Sequence, residues 1–440
     1  MRSFFLTQRF FFVTGGFMLL FCVAFVLPFL FWVVTLLFLI FVAAVGYDVW
    51  QLYRFQSPVE AKRVTFDTLS LGDKNTIHYH LKNQVNIALQ VNIIDELPVQ
   101  FQVHDFTIPV QLPAHAQKEM TYVLVPTTRG VYHFGNLHLM LQSVIGLVER
   151  DLVIVHQKFI KVMPSVLQMK EMEWKTFERN PINHGVKRFR KLGHTMEFEQ
   201  IKNYVNGDDY RSINWKASGR RGSLMVNQFQ EERSRQIYLL IDQSRVMKTP
   251  FEGLTYMEHA INSGLALSNI ILKKGDLAGL ITYSKERPQI IKADRSPKQL
   301  NLILNALYNA KEQHGDADYE KLYMVVRNQL KQRSLLLMFT NFESVYSMER
   351  SLPIFKRLQK LHQLVIIFFE NTEVSAFAQS QASDTIEIYE NTIARKYDFE
   401  KKQILQQLHQ HGINAIYAHP AQLSIQVINK YLELKSRNAI

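Results

Sequence analysis

Three regimes of hydrophobic and polar patterning follow one another along this 440-residue chain. Residues 10–47 carry no charge at all, and Pro28 divides the run into 10–27 and 29–47. Each half is about 18–19 residues, or about 27–28 Å as helix, close to the roughly 30 Å hydrocarbon layer of a bilayer. A secretory signal has an apolar region of only ~7–15 residues and no second span behind it. Helices of a soluble core would keep a polar face. The pattern therefore predicts a two-helix transmembrane hairpin after a short cytoplasmic segment, 1–9. Arg2 and Arg9 precede it, Arg54, Lys62 and Arg63 follow it, and the turn between its halves is uncharged. By the positive-inside rule both ends face the cytoplasm, which gives a multi-pass protein with the bulk of the chain cytoplasmic.

From 60 to 166 the period changes to two. Ile77, Tyr79 and Leu81 alternate with polar residues, as do Ile87, Leu89, Val91 and Ile93, then Met120, Tyr122 and Leu124, then Leu137, Leu139 and Leu141. Turn signals such as "LGDKN", "ELP" and "TTRG" separate the runs, so the segment reads as an Ig-like β-sandwich of about seven strands. His78 and His80 share a strand face, but it is the polar one, and a solvated edge is the reading preferred to a metal site.

Residues 167–235 lose both periods and read as a basic linker of irregular structure. "RNPINHGVKRFRKLGH" (179–194) has no acid. Within it Lys187, Arg188, Arg190 and Lys191 are candidate contacts to anionic lipid, against the plainer alternative of a solvated charge run.

From 236 to 440 short apolar runs alternate with helical patterns. Ile237–Ile241, ending at Asp242, reads as an apolar strand, as do "LAGLITY", "SLLLMFT", "LVIIFF" and "INAIYA". The segment 255–272 reads as a helix with Lys273 and Lys274 in its last turn and Gly275 as its stop. Ser296 and Pro297 are expected to start the next helix as N-cap and first residue. Such alternation implies a parallel sheet covered on both faces, with any ligand beyond the carboxyl ends of its strands.

Charge and composition narrow the partners. A net charge of +12 suggests an anionic neighbour. The single cysteine, Cys22, excludes an intramolecular disulfide and a multi-cysteine zinc site. No Gly-x-x-x-x-Gly-Lys loop, His-Glu-x-x-His pair or Gly-x-Ser-x-Gly elbow is present.

Two stretches remain as candidate chemistry. Asp242 and Ser244, two residues apart at a strand end, could offer hard oxygen ligands to magnesium. Their arrangement resembles the metal-ion-dependent adhesion site of von Willebrand factor A domains, whose first motif is Asp-x-Ser-x-Ser. Here Val246 fills the fifth position, Asn341 stands where the family's later Asp would fall, and "HGDADYEKL" offers no Thr. The resemblance thus implies a von Willebrand factor A-like fold over 236–440 with a degraded ion site. No cofactor is expected beyond a weakly held magnesium, and replacing Asp242 by Ala should change little.

The second stretch is "YVNGDDYRSINWKASGRRGSLMVNQF" (204–229). Its cations and aromatics suggest nucleic acid, but neighbouring acids make intramolecular pairing the better reading, and no nucleic-acid partner is expected. Gly193, Glu197, Phe198, Tyr204, Gly207, Asp208, Asp209, Arg211, Ile213 and Trp215 match the signature of the bacterial family called domain of unknown function 58. Lys202 stands for that family's Arg and Asn206 for its Pro. "RGVYHFG" (129–135) and "GLVER" (146–150) match it as well. The resemblance implies an inner-membrane protein that partners MoxR-type AAA+ ATPases and other von Willebrand factor A proteins. It implies no reaction. The chain is therefore expected to be a non-enzymatic scaffold or adaptor. Its signature would form a joint in which the Asp pair and Arg211 make a buried ion-paired turn and Trp215 fills a seam. The rival is a metal-dependent hydrolase or nuclease using Asp208, Asp209 and Asp242.

Overall fold

The computed structural model describes residues 3–103, 106–178, 196–231, 235–380 and 384–437. They form two compact units, Met1–Met163 and Pro164–Ile440.

The first unit begins with a short strand, β1 (Ser3–Leu6), and two apolar helices, α1 (Gln8–Val26) and α2 (Pro28–Tyr53). Thr7 caps α1 through its hydroxyl, which accepts from the Phe10 N–H. Pro28 opens α2 at a first-turn position, where its missing N–H costs nothing. The helices pack as a hairpin through rings: Phe10 on Phe41, Phe17 on Phe38 and Phe41, and Phe21 on Phe31 and Phe38. Their outer faces are apolar and exposed, with Phe12, Phe25 and Trp32 among the most open. Both helices are long and apolar enough to cross a membrane. The second continues six residues beyond the expected end at 47, through Asp48 to Tyr53.

The rest of this unit is β. A five-stranded sheet runs β1, Val148–Ile154, Leu137–Gln142, Leu89–Asp95 and Thr107–Leu112 in spatial order. Two three-stranded sheets accompany it: Val59–Val64, Asn75–Asn83 and Gln117–Leu124, and Thr68–Ser70, Lys158–Met163 and Gly130–Phe134. Strict alternation in Asn75–Asn83 and Leu89–Asp95 sends Ile77, Tyr79, Leu81, Val91 and Ile93 inward, as period two requires. Strands outnumber the seven expected, and Thr68–Ser70, three residues long, is too short to show a period of two. Arg63 is fully buried here. It pairs with Asp95, donates to the Gly135 and His156 carbonyls, and its partner Asp95 also receives the Tyr79 and Tyr122 hydroxyls. His80 stays on the polar face and meets Glu119 across strands at 2.9 Å.

The second unit is α/β. Its six-stranded sheet runs Gln289–Asp294, Leu277–Tyr283, Gln236–Asp242, Leu335–Phe339, Gln363–Phe369 and Asn414–Ala418. Five strands are parallel. The first is antiparallel to its neighbour, so the sheet is mixed rather than parallel throughout. Gly279 explains how that edge strand is seated. A Cβ there would fall 2.5 Å from the Tyr238 ring, and the Tyr238 hydroxyl in turn receives the Ala293 N–H of the edge strand. Ile237, Leu239 and Ile241 pack on one face with the helices Tyr256–Lys273 and Leu423–Ser436. Tyr238 and Leu240 pack on the other, under Tyr319–Gln329 and Val345–Leu361.

Two local expectations are corrected. Ser296 and Pro297 form a turn, not a cap, because the Gln299 N–H bonds the Ser296 carbonyl and the helix starts at Gln299. The described parts of 167–235 are also not irregular. Helix Val166–Glu178 packs on helix Tyr256–Lys273, where Asn269 reaches the Glu173 carboxylate at 2.8 Å and Lys273 pairs with it. Strands Met196–Asn203 and Met225–Glu231 make a hairpin.

Candidate functional site

Two places in the second unit collect the chemistry. At the carboxyl end of the central strand, Asp242 has no exposed surface. Its carboxylate accepts the Thr340 hydroxyl at 2.6 Å and the Ser244 N–H at 2.8 Å. Burial dominates those bonds and pushes its pKa up to about 6. Tyr319 extends the chain of hydroxyls, 3.0 Å from Thr340. The carboxylate of Asp242 is thus committed inward, and its replacement by Ala would leave the buried Ser244 N–H without its acceptor and remove the shortest bond of the Thr340 hydroxyl. The expectation that such a change is nearly silent is overturned on that ground.

Asn341 accepts from the buried Lys401 ammonium at 3.0 Å. Lys401 also donates to the Phe342 carbonyl and lies 4.7 Å from the Tyr397 ring centroid. Desolvation pulls its pKa down to about 8. In front of these residues Arg245 holds Asp316 at 2.9 Å and Glu343 at 3.0 Å. Arg245 and Asp316, with Lys285, Asp318 and Arg350, line an open groove of about 720 Å³. Among the described residues no three His, Cys, Asp or Glu side chains converge as metal ligands would. Lys401 and Arg245 escaped the sequence reading, since both look like surface charges beside acids.

The signature stretch is built differently. Its two strands are tied at their connected end by Tyr204 N–H to the Leu224 carbonyl at 2.8 Å. Asp208 accepts from Lys202 at 2.8 Å and from the Val205 N–H at 3.0 Å, and the Lys202 bond holds its carboxyl below the usual range. Gly207, at φ +110°, makes the turn before it. Asp209 caps the short helix Tyr210–Ser212 through the Arg211 N–H at 3.0 Å. Asn214 caps Trp215–Arg221 through the Ala217 N–H at 3.0 Å, and Gly222 ends it at φ +70°. Ser218, turned inward, donates to the Asn214 carbonyl and accepts the Met225 N–H.

Every one of these bonds is internal to the hairpin, and the large side chains are left outside. Trp215 is 71% exposed and Tyr210 is 68% exposed. Arg211 rests against the Tyr210 ring, and Lys216, Arg220 and Arg221 are exposed beside them. The expected buried ion-paired turn is therefore corrected. Asp208 is paired with Lys202 instead of Arg211, and the Trp215 ring sits at the first residue of a seven-residue helix whose inward face is Ala217 and Ser218. Ile213 is half-buried and bridges to Val226. Glu197 and Phe198 lie on the first strand. Gly193, Lys187, Arg188, Arg190 and Lys191 lie outside the described residues.

Residues 200–376 match the family model described as "Protein of unknown function DUF58". The chain is 25% identical over 264 residues to the "Uncharacterized protein YeaD" of Bacillus subtilis (strain 168), an alignment covering 58% of this chain and 63% of that protein. Among solved structures it resembles the CARDB domain of a Pyrococcus furiosus protein at 14% identity, covering 24% of this chain and 94% of that one, with a TM-score of 0.17. An ASH/PapD-like domain of human CEP192 matches at 15% identity, over 24% of this chain and 84% of that one, also with a TM-score of 0.17.

Proposed function

We propose, from the match of residues 200–376 to the family model of unknown function DUF58, that the chain is a member of that family and a non-enzymatic, membrane-anchored adaptor. In this reading α1 and α2 hold it in the bacterial inner membrane with the β unit and the α/β unit in the cytoplasm. The β unit is read as an Ig-like sandwich, and the six-stranded sheet as von Willebrand factor A-like. The partner is a MoxR-type AAA+ ATPase, together with other A-domain proteins of the same system.

One observation carries the adaptor role. The signature spends its Asp, Asn and Ser side chains on stiffening its own hairpin and leaves Tyr210, Arg211, Trp215, Lys216, Arg220 and Arg221 in solvent. Exposed Trp, Tyr and Arg on a rigid support are the residue types that dominate protein interfaces. Their charge suits an acidic face on the ATPase. The hydrolase alternative draws on Asp208, Asp209 and Asp242, but the first two carboxylates are engaged as turn and cap acceptors and the third has no exposed surface.

Affinity purification of the full chain from native membranes, followed by mass spectrometry, tests the partner. The AAA+ ATPase should be enriched with the wild-type chain and depleted with Trp215→Ala. Equal recovery of the ATPase with both chains would remove the signature hairpin from the interface.

A further inference from the structure

The "GLVER" segment has no part in the adaptor surface, yet it makes some of the most committed contacts in the first unit. The Asp48 carboxylate, fully buried on α2, accepts from the Leu147 N–H at 2.9 Å, the Val148 N–H at 3.0 Å and the Ser143 hydroxyl. Arg150, 3% exposed, donates to the carbonyls of Leu52, Phe55 and Gln56 at 2.6–2.8 Å, gripping the end of the same helix. The other helix is held as well. Thr7, the cap of α1, donates its hydroxyl to the Gly146 carbonyl at 2.7 Å, and β1 pairs with Val148–Ile154. Gly146 sits at φ +68° with the Arg9 guanidinium against it, so a side chain there would be both strained and crowded.

These ties fix where residues 143–147 stand relative to the spans. The twenty residues 28–47 of α2 cover about 30 Å, the depth of the hydrocarbon layer. Asp48 then falls at the boundary, and a carboxylate there needs partners. The loop supplies them. Around it, Val144 is 70% exposed and Ile145 is 38% exposed, in the turn between Ser143 and Gly146. Tyr47 and Trp50 are exposed on the neighbouring turn of α2, 5.9 Å apart, as in the aromatic belts of membrane interfaces.

We propose that residues 143–147 are a second membrane contact, inserting Val144 and Ile145 into the headgroup layer of the bilayer that α1 and α2 cross. Asp48 and Arg150 clamp the loop to the helix ends, and Arg9 lies at the level of lipid phosphates. The occupant is lipid surface. The β unit is then held at a fixed height and orientation on the membrane instead of hanging from a tether. This inference rests on the membrane-anchored reading above, and its test separates the two.

The experiment uses the full chain with Cys22→Ser and a single cysteine introduced by Val144→Cys, Ile145→Cys or Val155→Cys. Each is labelled with an environment-sensitive fluorophore and reconstituted in phosphatidylcholine–phosphatidylglycerol vesicles carrying a headgroup-region quencher. Val155 is 79% exposed and follows Val148–Ile154, about 20 Å of strand beyond the clamp, so it serves as the control. Probes at 144 and 145 should emit to the blue and be quenched several-fold more than the probe at 155. Equal quenching at all three positions, in chains that resist carbonate extraction, would overturn the loop contact and leave the anchor standing. Chains released by carbonate would overturn the anchor and the loop contact together.

Discussion

Thr340 donates its hydroxyl to the Asp242 carboxylate over 2.6 Å from the end of the neighbouring strand, and neither residue has exposed surface. The pKa of Asp242 lies near 6 in the folded chain, above its ordinary 3.8. Between those values the native state binds a proton that the unfolded state lacks, so this group's contribution to stability falls as pH rises through about 4 to 6. Asp242→Asn keeps an acceptor for the Ser244 N–H and a donor for Thr340 without the buried charge. The variant should melt above wild type at pH 7, by up to about 3 kcal/mol, and lose that advantage near pH 4. Thermal melts of both chains across this range check it. A wild-type chain that is the more stable at pH 7 contradicts it.

Asp242→Ala should behave in the opposite way at neutral pH. It leaves the buried Ser244 N–H without its acceptor, at about 1–3 kcal/mol, and removes the shortest bond of the Thr340 hydroxyl. The melting temperature should fall below that of Asp242→Asn at every pH.

Lys401 gives a second, separable window. Its folded pKa, about 8, lies below the ordinary 10.5. The folded chain releases this proton before the unfolded chain does, so its contribution to stability rises from about pH 8 to 10. In Lys401→Met that rise should disappear from the difference between pH 8 and pH 10 melts. A variant whose pH dependence matches wild type over this interval would mean the ammonium is not desolvated.

Within the signature, cap and surface residues should part company. Asn214→Ala removes the acceptor of the Ala217 N–H and should destabilise by about 1 kcal/mol. Trp215→Ala removes an exposed ring and should stay within about 0.5 kcal/mol of wild type. Chemical denaturation of the two variants measures the contrast, and a larger loss with Trp215→Ala would contradict it.

What the sequence conveyed depended on how local the cause was. The apolar helices are legible because 10–47 contains no charge, a property of the segment itself. The end of α2 is not, because Asp48 is tolerated inside the helix only through Ser143, Leu147 and Val148, which are far along the chain. The strand Gln289–Asp294 was missed for a similar reason: Gly279 and Tyr238 on other strands make its seat. For Trp215, an aromatic residue suggested a core, while the helix direction set by Asn214 and Ser218 turned it outward. Lys401 looked like one more cation in a charged helix until Asn341 and Phe342 met it.

The central claim is that the signature hairpin is a stiff support for an exposed aromatic and cationic docking surface. Its most direct measurement is equilibrium binding of the MoxR-type ATPase to the full chain in lipid nanodiscs, for wild type, Trp215→Ala and Arg220→Glu with Arg221→Glu. Affinity should fall at least tenfold in both variants while their melting temperatures stay at the wild-type value. Unchanged affinity in both, or a loss of affinity that tracks a loss of stability, would contradict the account.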